Sequence, residues 1–91
     1  MNETGAGGPA ETLRGDLRVK RLRWLARRGM RELEILIENF LRRETEALSD
    51  GAWPELEALL ACEDDQLWDW FQGRYDTAPA AYRPMLDAIR G

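Results

Sequence analysis

At 91 residues, 44% hydrophobic and 33% charged, the chain has room for one globular domain and none for a multidomain enzyme with a deep catalytic cleft. It has no histidine and a single cysteine, Cys62, so an internal disulfide and a multi-cysteine zinc site are both excluded and a reducing compartment is expected. The net charge of −4 is unevenly spread: residues 14–31 carry eight basic side chains and one acid, whereas residues 32–76 carry thirteen acids and three arginines.

Residues 1–15 are rich in Gly, Ala and Glu without periodicity and are expected to form a disordered N-terminal tail ahead of one helical domain over 16–91. Leu22, Leu25 and Ala26 then fall at helical spacing, predicting a short amphipathic helix over 16–28. Asp16 is its N-cap, Arg18, Arg21 and Arg28 lie mostly on the wet side, and Gly29 takes a left-handed C′ position. Leu33, Leu36, Ile37, Phe40 and Leu41 form one apolar stripe and predict a second helix from Met30 to about Leu48.

Ser49-Asp50-Gly51 reads as a turn and N-cap. Trp53, Leu56, Leu59 and Leu60 mark a third helix that starts near Ala52 or Trp53, since Pro54 is tolerated only in a first turn. Glu63-Asp64-Asp65 supplies the next N-cap. Leu67, Trp70 and Phe71 make a short fourth helix ended by Gly73. After a loop over 74–80, Tyr82, Met85, Leu86 and Ile89 make a fifth helix with Pro84 in its first turn. No strand-like alternation occurs. The fold expected is all-α, a compact bundle of five short helices, in which Trp53, Trp68 and Trp70 supply much of a small core.

Chemistry is concentrated where the first two helices meet. Trp24, Arg27, Arg28, Gly29, Met30, Arg31 and Glu32 compress four arginine or acidic heads and a glycine into one corner. A residue without a Cβ permits close backbone approach, and guanidinium groups bond carboxylates or phosphates. Spacing alone favours a purely structural reading of the same residues: Gly29 as a helix stop, Arg28 satisfying terminal carbonyls, and a surface Arg28–Glu32 pair worth under ~1 kcal/mol.

Arg28-Gly29-Met30-Arg31-Glu32 resembles the Arg-Gly-x-x-Glu motif of the SdhE family, whose mitochondrial relatives are called succinate dehydrogenase assembly factor 2. Leu59-Leu60-Ala61-Cys62-Glu63-Asp64-Asp65-Gln66-Leu67-Trp68-Asp69-Trp70 is similar to that family's second block, and Leu48-Ser49-Asp50 to its intervening turn. Pro54 and Pro84 depart from the pattern and bear on the starts of two helices only.

The resemblance implies a small five-helix assembly factor that binds the flavoprotein subunit of succinate dehydrogenase or fumarate reductase and promotes covalent attachment of FAD to it. It would do so by stabilising a competent conformer rather than as an enzyme. Position by position it places Arg28, Gly29 and Glu32 at fixed motif positions, Met30 and Arg31 at variable ones, and all five against the partner. Trp24, Arg27 and Trp68 are added as partner contacts.

With no Gly-rich phosphate loop, no independent FAD site is expected, and no catalytic or metal-binding group either. Cys62 reads as a core residue whose acidic neighbours disfavour the thiolate. The alternatives are an antitoxin-like regulatory protein-binding module, or nucleic-acid binding through the basic segment Arg14–Arg31; the acidic remainder of the chain weighs against the latter. No apolar run approaches the ~18 residues of a membrane span, no secretory or transit signature is present, and a cytoplasmic location without membrane insertion follows.

Overall fold

Helical periodicity dictates most of the architecture. The computed structural model describes the backbone of residues 9–91 and the side chains of residues 14–91. In chain order the helices are α1 Pro9–Leu25, α2 Arg31–Arg43, α3 Thr45–Ser49, α4 Leu56–Leu60, α5 Asp64–Asp69 and α6 Arg83–Arg90. A π-helical turn over Trp70–Arg74 and 3-10 turns over Tyr75–Thr77 and Ala80–Tyr82 join α5 to α6. No strand occurs among the described residues, so the fold is all-α.

The stripe on α2 buries Leu33, Ile37, Phe40 and Leu41. It meets Leu22 from α1, Leu48 from α3, Leu56, Leu59 and Leu60 from α4, Leu67 from α5, and Leu86 and Ile89 from α6 in one core. No polar or charged residue is buried among the described residues. Trp70 is buried, whereas Trp53 and Trp68 are half-buried and pack against the core from outside. Phe40 meets Trp53 edge-on, with ring centroids 5.8 Å apart.

The long second helix expected from Met30 to Leu48 is divided in two at Glu44, whose backbone (φ −108°, ψ 17°) leaves the helical region. Thr45 accounts for the break. Its Oγ1 donates to the Leu41 carbonyl at 2.7 Å and lies 3.2 Å from the Arg42 carbonyl, a back-bonding pattern that bends helices.

The first helix also differs from expectation. It starts at Pro9, so Asp16 lies inside it and caps nothing, and residues 9–15 are helical rather than tail; residues 1–8 of the expected tail lie outside the described residues. Gly15 is buried against α3, and an ideal Cβ there would stand 2.5 Å from the Ser49 carbonyl oxygen, a separation that real Cβ atoms do not show. Glycine is what lets α1 and α3 touch.

Arg18, expected on the wet side, turns inward instead. Its Nε donates to Glu57 Oε2 at 2.8 Å. Its Nη1 donates to the Leu48 and Ala52 carbonyls at 2.7 Å each, and its Nη2 to the Trp53 carbonyl at 2.7 Å and Glu57 Oε1 at 3.1 Å. All five guanidinium N–H groups are thereby used on the stretch from the end of α3 to the start of α4.

That segment needs a clamp. Trp53 sits at φ +56°, a left-handed position that costs a non-glycine residue about 1–2 kcal/mol. Pro54 follows it, and a proline disfavours the right-handed helical region for the residue before it, which keeps Trp53 out of the next helix. The third helix therefore starts at Leu56 rather than near Trp53, with no side-chain cap. Ser49-Asp50-Gly51 does form a turn, with Gly51 at φ +98°, but not an N-cap. Pro84 behaves as expected, in the first turn of α6.

Candidate functional site

The α1–α2 corner is built by two helices that stop short of each other. Ala26 is fully buried and its N–H still bonds the Leu22 carbonyl at 2.9 Å, which anchors the end of α1 in the core. Met30 is the residue before α2, in extended conformation (φ −103°, ψ 116°), without a side-chain cap. Residues 27–30 bridge the gap over the loop that joins α4 to α5.

Arg28 holds the corner onto that loop. Its Nη2 donates to the Leu60 carbonyl at 2.9 Å and the Cys62 carbonyl at 2.8 Å. The first is a carbonyl that the short helix α4 leaves unpaired at its C-terminus, and the second belongs to the loop that follows. Arg28 Nε lies 3.1 Å from Asp64 Oδ1, close enough for charge attraction, although its N–H has no properly aimed acceptor. Asp64 Oδ2 in turn accepts the Gly29 N–H at 3.0 Å. One carboxylate thus binds both the guanidinium and the backbone of the corner. The side chain of Arg28 is only 11% exposed, so a partner meets little of it. Arg28 thus positions the corner from behind through Nη2, with its Nε–H left unpaired.

Asp64 is a site residue that sequence reasoning missed. The acidic run 63–65 was expected to cap α5, but Glu63 makes no side-chain capping bond and Asp64 is turned back to the corner. No local spacing reports an interaction across 35 positions.

Gly29 differs from expectation too. It is not in the left-handed region, and an ideal Cβ would find only Asp64 Oδ2, at an ordinary 3.6 Å. Neither backbone conformation nor internal crowding demands a glycine there, and the residue is exposed.

Around it Arg27, Arg31 and Glu32 are exposed and Met30 is half-buried. Trp24 is 67% exposed, with the Arg27 guanidinium 5.2 Å from its ring centroid. An open hollow beside the corner is lined by Arg28, Gly29 and Met30 on one side and by Ala61 to Asp65 on the other. Trp68 does not line this hollow; it packs half-buried on the core from α5. Cys62 is half-buried at the hollow's edge rather than in the core. Burial pushes its thiol up from the usual range, and the nearby Arg28 guanidinium pulls it partly back. Among the described residues no group of three metal-ligating side chains comes together.

Fold and site together define a small all-α protein whose distinctive exposed groups are gathered at one helix–helix corner, braced from below by an Arg28–Asp64 pair. Residues 20–91 match the Sdh5 family, described as "Flavinator of succinate dehydrogenase", and the chain belongs to that family. The chain is similar to the FAD assembly factor SdhE of Pasteurella multocida, 40% identical over 70 residues that cover 77% of this chain and 83% of the relative. It is 35% identical to the FAD assembly factor SdhE of Shewanella oneidensis over 75 residues, covering 82% and 92% of the two chains. With that of Xylella fastidiosa strain 9a5c it shares 35% over 72 residues, covering 79% and 74%. No solved structure matches the chain. Gly15 and Arg18 lie ahead of the family-matched region, although both are integral to the packing of α1.

Proposed function

We propose that this chain is an assembly factor that binds the flavoprotein subunit of succinate dehydrogenase, or of fumarate reductase, and promotes its covalent flavinylation. The observation that carries this reading is Gly29. The fold has no use for a glycine at that position, yet the position is exposed, rigidly braced by Asp64 and flanked by Trp24, Arg27, Arg31 and Glu32. Bare backbone on a braced, charged corner suits close approach by another protein surface. Family membership supports succinate dehydrogenase as the source of the client.

The chain acts by differential binding. Affinity for one conformer of the flavoprotein raises the population of that conformer, and only to the extent of the difference in affinity. Gly29 admits the partner's surface. Trp24 provides an apolar anchor of low conformational entropy, and Arg27, Arg31 and Glu32 set orientation through charge-assisted bonds. Arg28 and Asp64 keep these groups in register. The flavin chemistry resides in the client, this chain holds no FAD of its own, and it is not an enzyme. It works in the cytoplasm; no described helix is long and apolar enough to cross a membrane. The nucleic-acid alternative is weakened by geometry, since Arg18 and Arg28 of the basic segment are spent inside the fold.

The test is reconstitution. Apo-flavoprotein subunit with FAD should acquire covalent flavin, seen as in-gel fluorescence after denaturation, faster with this chain present than without it, and the two proteins should co-purify. Equal rates with and without the chain would refute the proposal.

A further inference from the structure

The basic surplus of residues 14–31 divides once its side chains are placed. Arg18 and Arg28 face inward, while Arg14, Lys20, Arg21, Arg23, Arg27 and Arg31 are exposed. Two of these, Arg23 on α1 and Arg27 just beyond its end, face Glu38 and Arg42, one turn apart on α2, across a groove of about 400 Å3 that Leu41 also lines. None of the three arginines makes an ion pair with a described residue. Arg42 makes one long bond, Nη1 to Asn39 Oδ1 at 3.4 Å, and Arg27 stacks on Trp24. Three guanidiniums therefore share a groove with one carboxylate, in a chain whose net charge is −4.

We propose that the α1–α2 groove is a second docking site, which takes an acidic extended segment of the flavoprotein client. The occupant follows from charge: Arg23, Arg27 and Arg42 present planar forks that match carboxylates bidentately, and the acidic surface elsewhere on the chain repels such a segment. Arg27 borders both the groove and the corner, so the two surfaces are continuous and one client spans both. The identity of the client rests on the function proposed above; the acid-binding chemistry of the groove does not.

Two measurements on the full chain test it. Hexaglutamate titrated into the protein, followed by NMR of the arginine Nε–H groups, should produce saturable shifts at Arg23, Arg27 and Arg42. These should weaken several-fold between about 50 and about 300 mM salt. The R23E/R42E double variant should lose the shifts while keeping its circular dichroism. Shifts spread evenly over Arg14, Arg21 and Arg31, no shifts, or tighter binding of a dT8 oligonucleotide at the same three arginines would overturn the proposal.

In the second measurement the double variant should bind the flavoprotein subunit about tenfold more weakly than the parent chain. Parental affinity in the double variant would overturn the groove and leave the corner standing. Failure of the parent chain itself to bind would overturn the assembly function and the choice of client, with acid recognition still decided by the titration.

Discussion

Replacing Arg28 by alanine removes two hydrogen bonds from a charged donor, at 2.9 and 2.8 Å, and leaves the Leu60 and Cys62 carbonyls at the end of α4 without that donor. Bonds of this kind contribute ~1.5–3 kcal/mol each. The lower end applies here, because both carbonyls lie beside the exposed Ala61 and partly rehydrate. Asp64 is about a third exposed and recovers water when its partner goes, so the ion pair adds little. The expected loss is ~3 kcal/mol, a large share of the ~5–10 kcal/mol available to a domain of this size, and corresponds to a fall in Tm of roughly 12–24 °C. Lysine at the same position keeps the charge without the planar fork and should recover about half. Urea unfolding at pH 7, followed by tryptophan fluorescence, measures both. If Arg28→Ala stayed within ~0.5 kcal/mol of the parent, the bracing role of Arg28 would be refuted.

The other clamps make related predictions. Arg18→Ala should destabilise by ~3 kcal/mol at pH 7, since it frees a left-handed Trp53 and three carbonyls together. The hydrogen bond from Arg18 holds Glu57 below the ordinary carboxylate range, so the contribution of the pair is present above the unfolded carboxylate pKa and fades as pH falls through the folded one. The penalty of Arg18→Ala should accordingly be smaller at pH 3 than at pH 7 in parallel urea titrations; an equal penalty would show that the ion pair contributes nothing. Gly15→Ala drives a methyl group into Ser49, whose Oγ stands nearest and whose carbonyl oxygen follows at 2.5 Å, and should lower stability by ~1–3 kcal/mol in thermal unfolding, with only partial rescue by Ser49→Gly, because the main-chain oxygen remains. Cys62 should react with a disulfide reagent near neutral pH more slowly than a free thiol, because burial raises its thiol above the usual range; a rate equal to that of a free thiol would refute this.

Periodicity made the helices legible wherever one face is buried along its length. The stripes at Leu33 to Leu41 and Met85 to Ile89 lie where spacing put them. What periodicity missed depends on single residues acting against it. Thr45 competes for a carbonyl and splits a continuous apolar stripe, and Pro54 keeps Trp53 out of the helix and delays α4. Gly15 looked like part of a flexible tail because its composition is that of a tail; only the proximity of Ser49 turns it into a packing residue.

The corner was legible in kind, from its motif, but its mechanics were not. Arg18 and Arg28 have the same side chain as Arg21 and Arg27, and a helical wheel cannot tell a guanidinium that reaches the carbonyls of another helix from one that points into water. Asp64 became part of the site through a contact of long sequence separation. Gly29 was given a left-handed role it does not have, and losing that role strengthens its functional one, because no internal reason for the glycine is left.

Side chains of increasing size at Gly29 therefore separate folding from partner binding most sharply. Gly29→Ala, Gly29→Val and Gly29→Arg should all retain the circular dichroism of the parent and lie within about 1 kcal/mol of its stability, as expected at an exposed position without strain. Flavinylation of the succinate dehydrogenase flavoprotein subunit, read as covalent flavin fluorescence, should fall stepwise along the series and vanish at arginine. Parental flavinylation by a folded Gly29→Arg variant would mean that the client does not approach this corner.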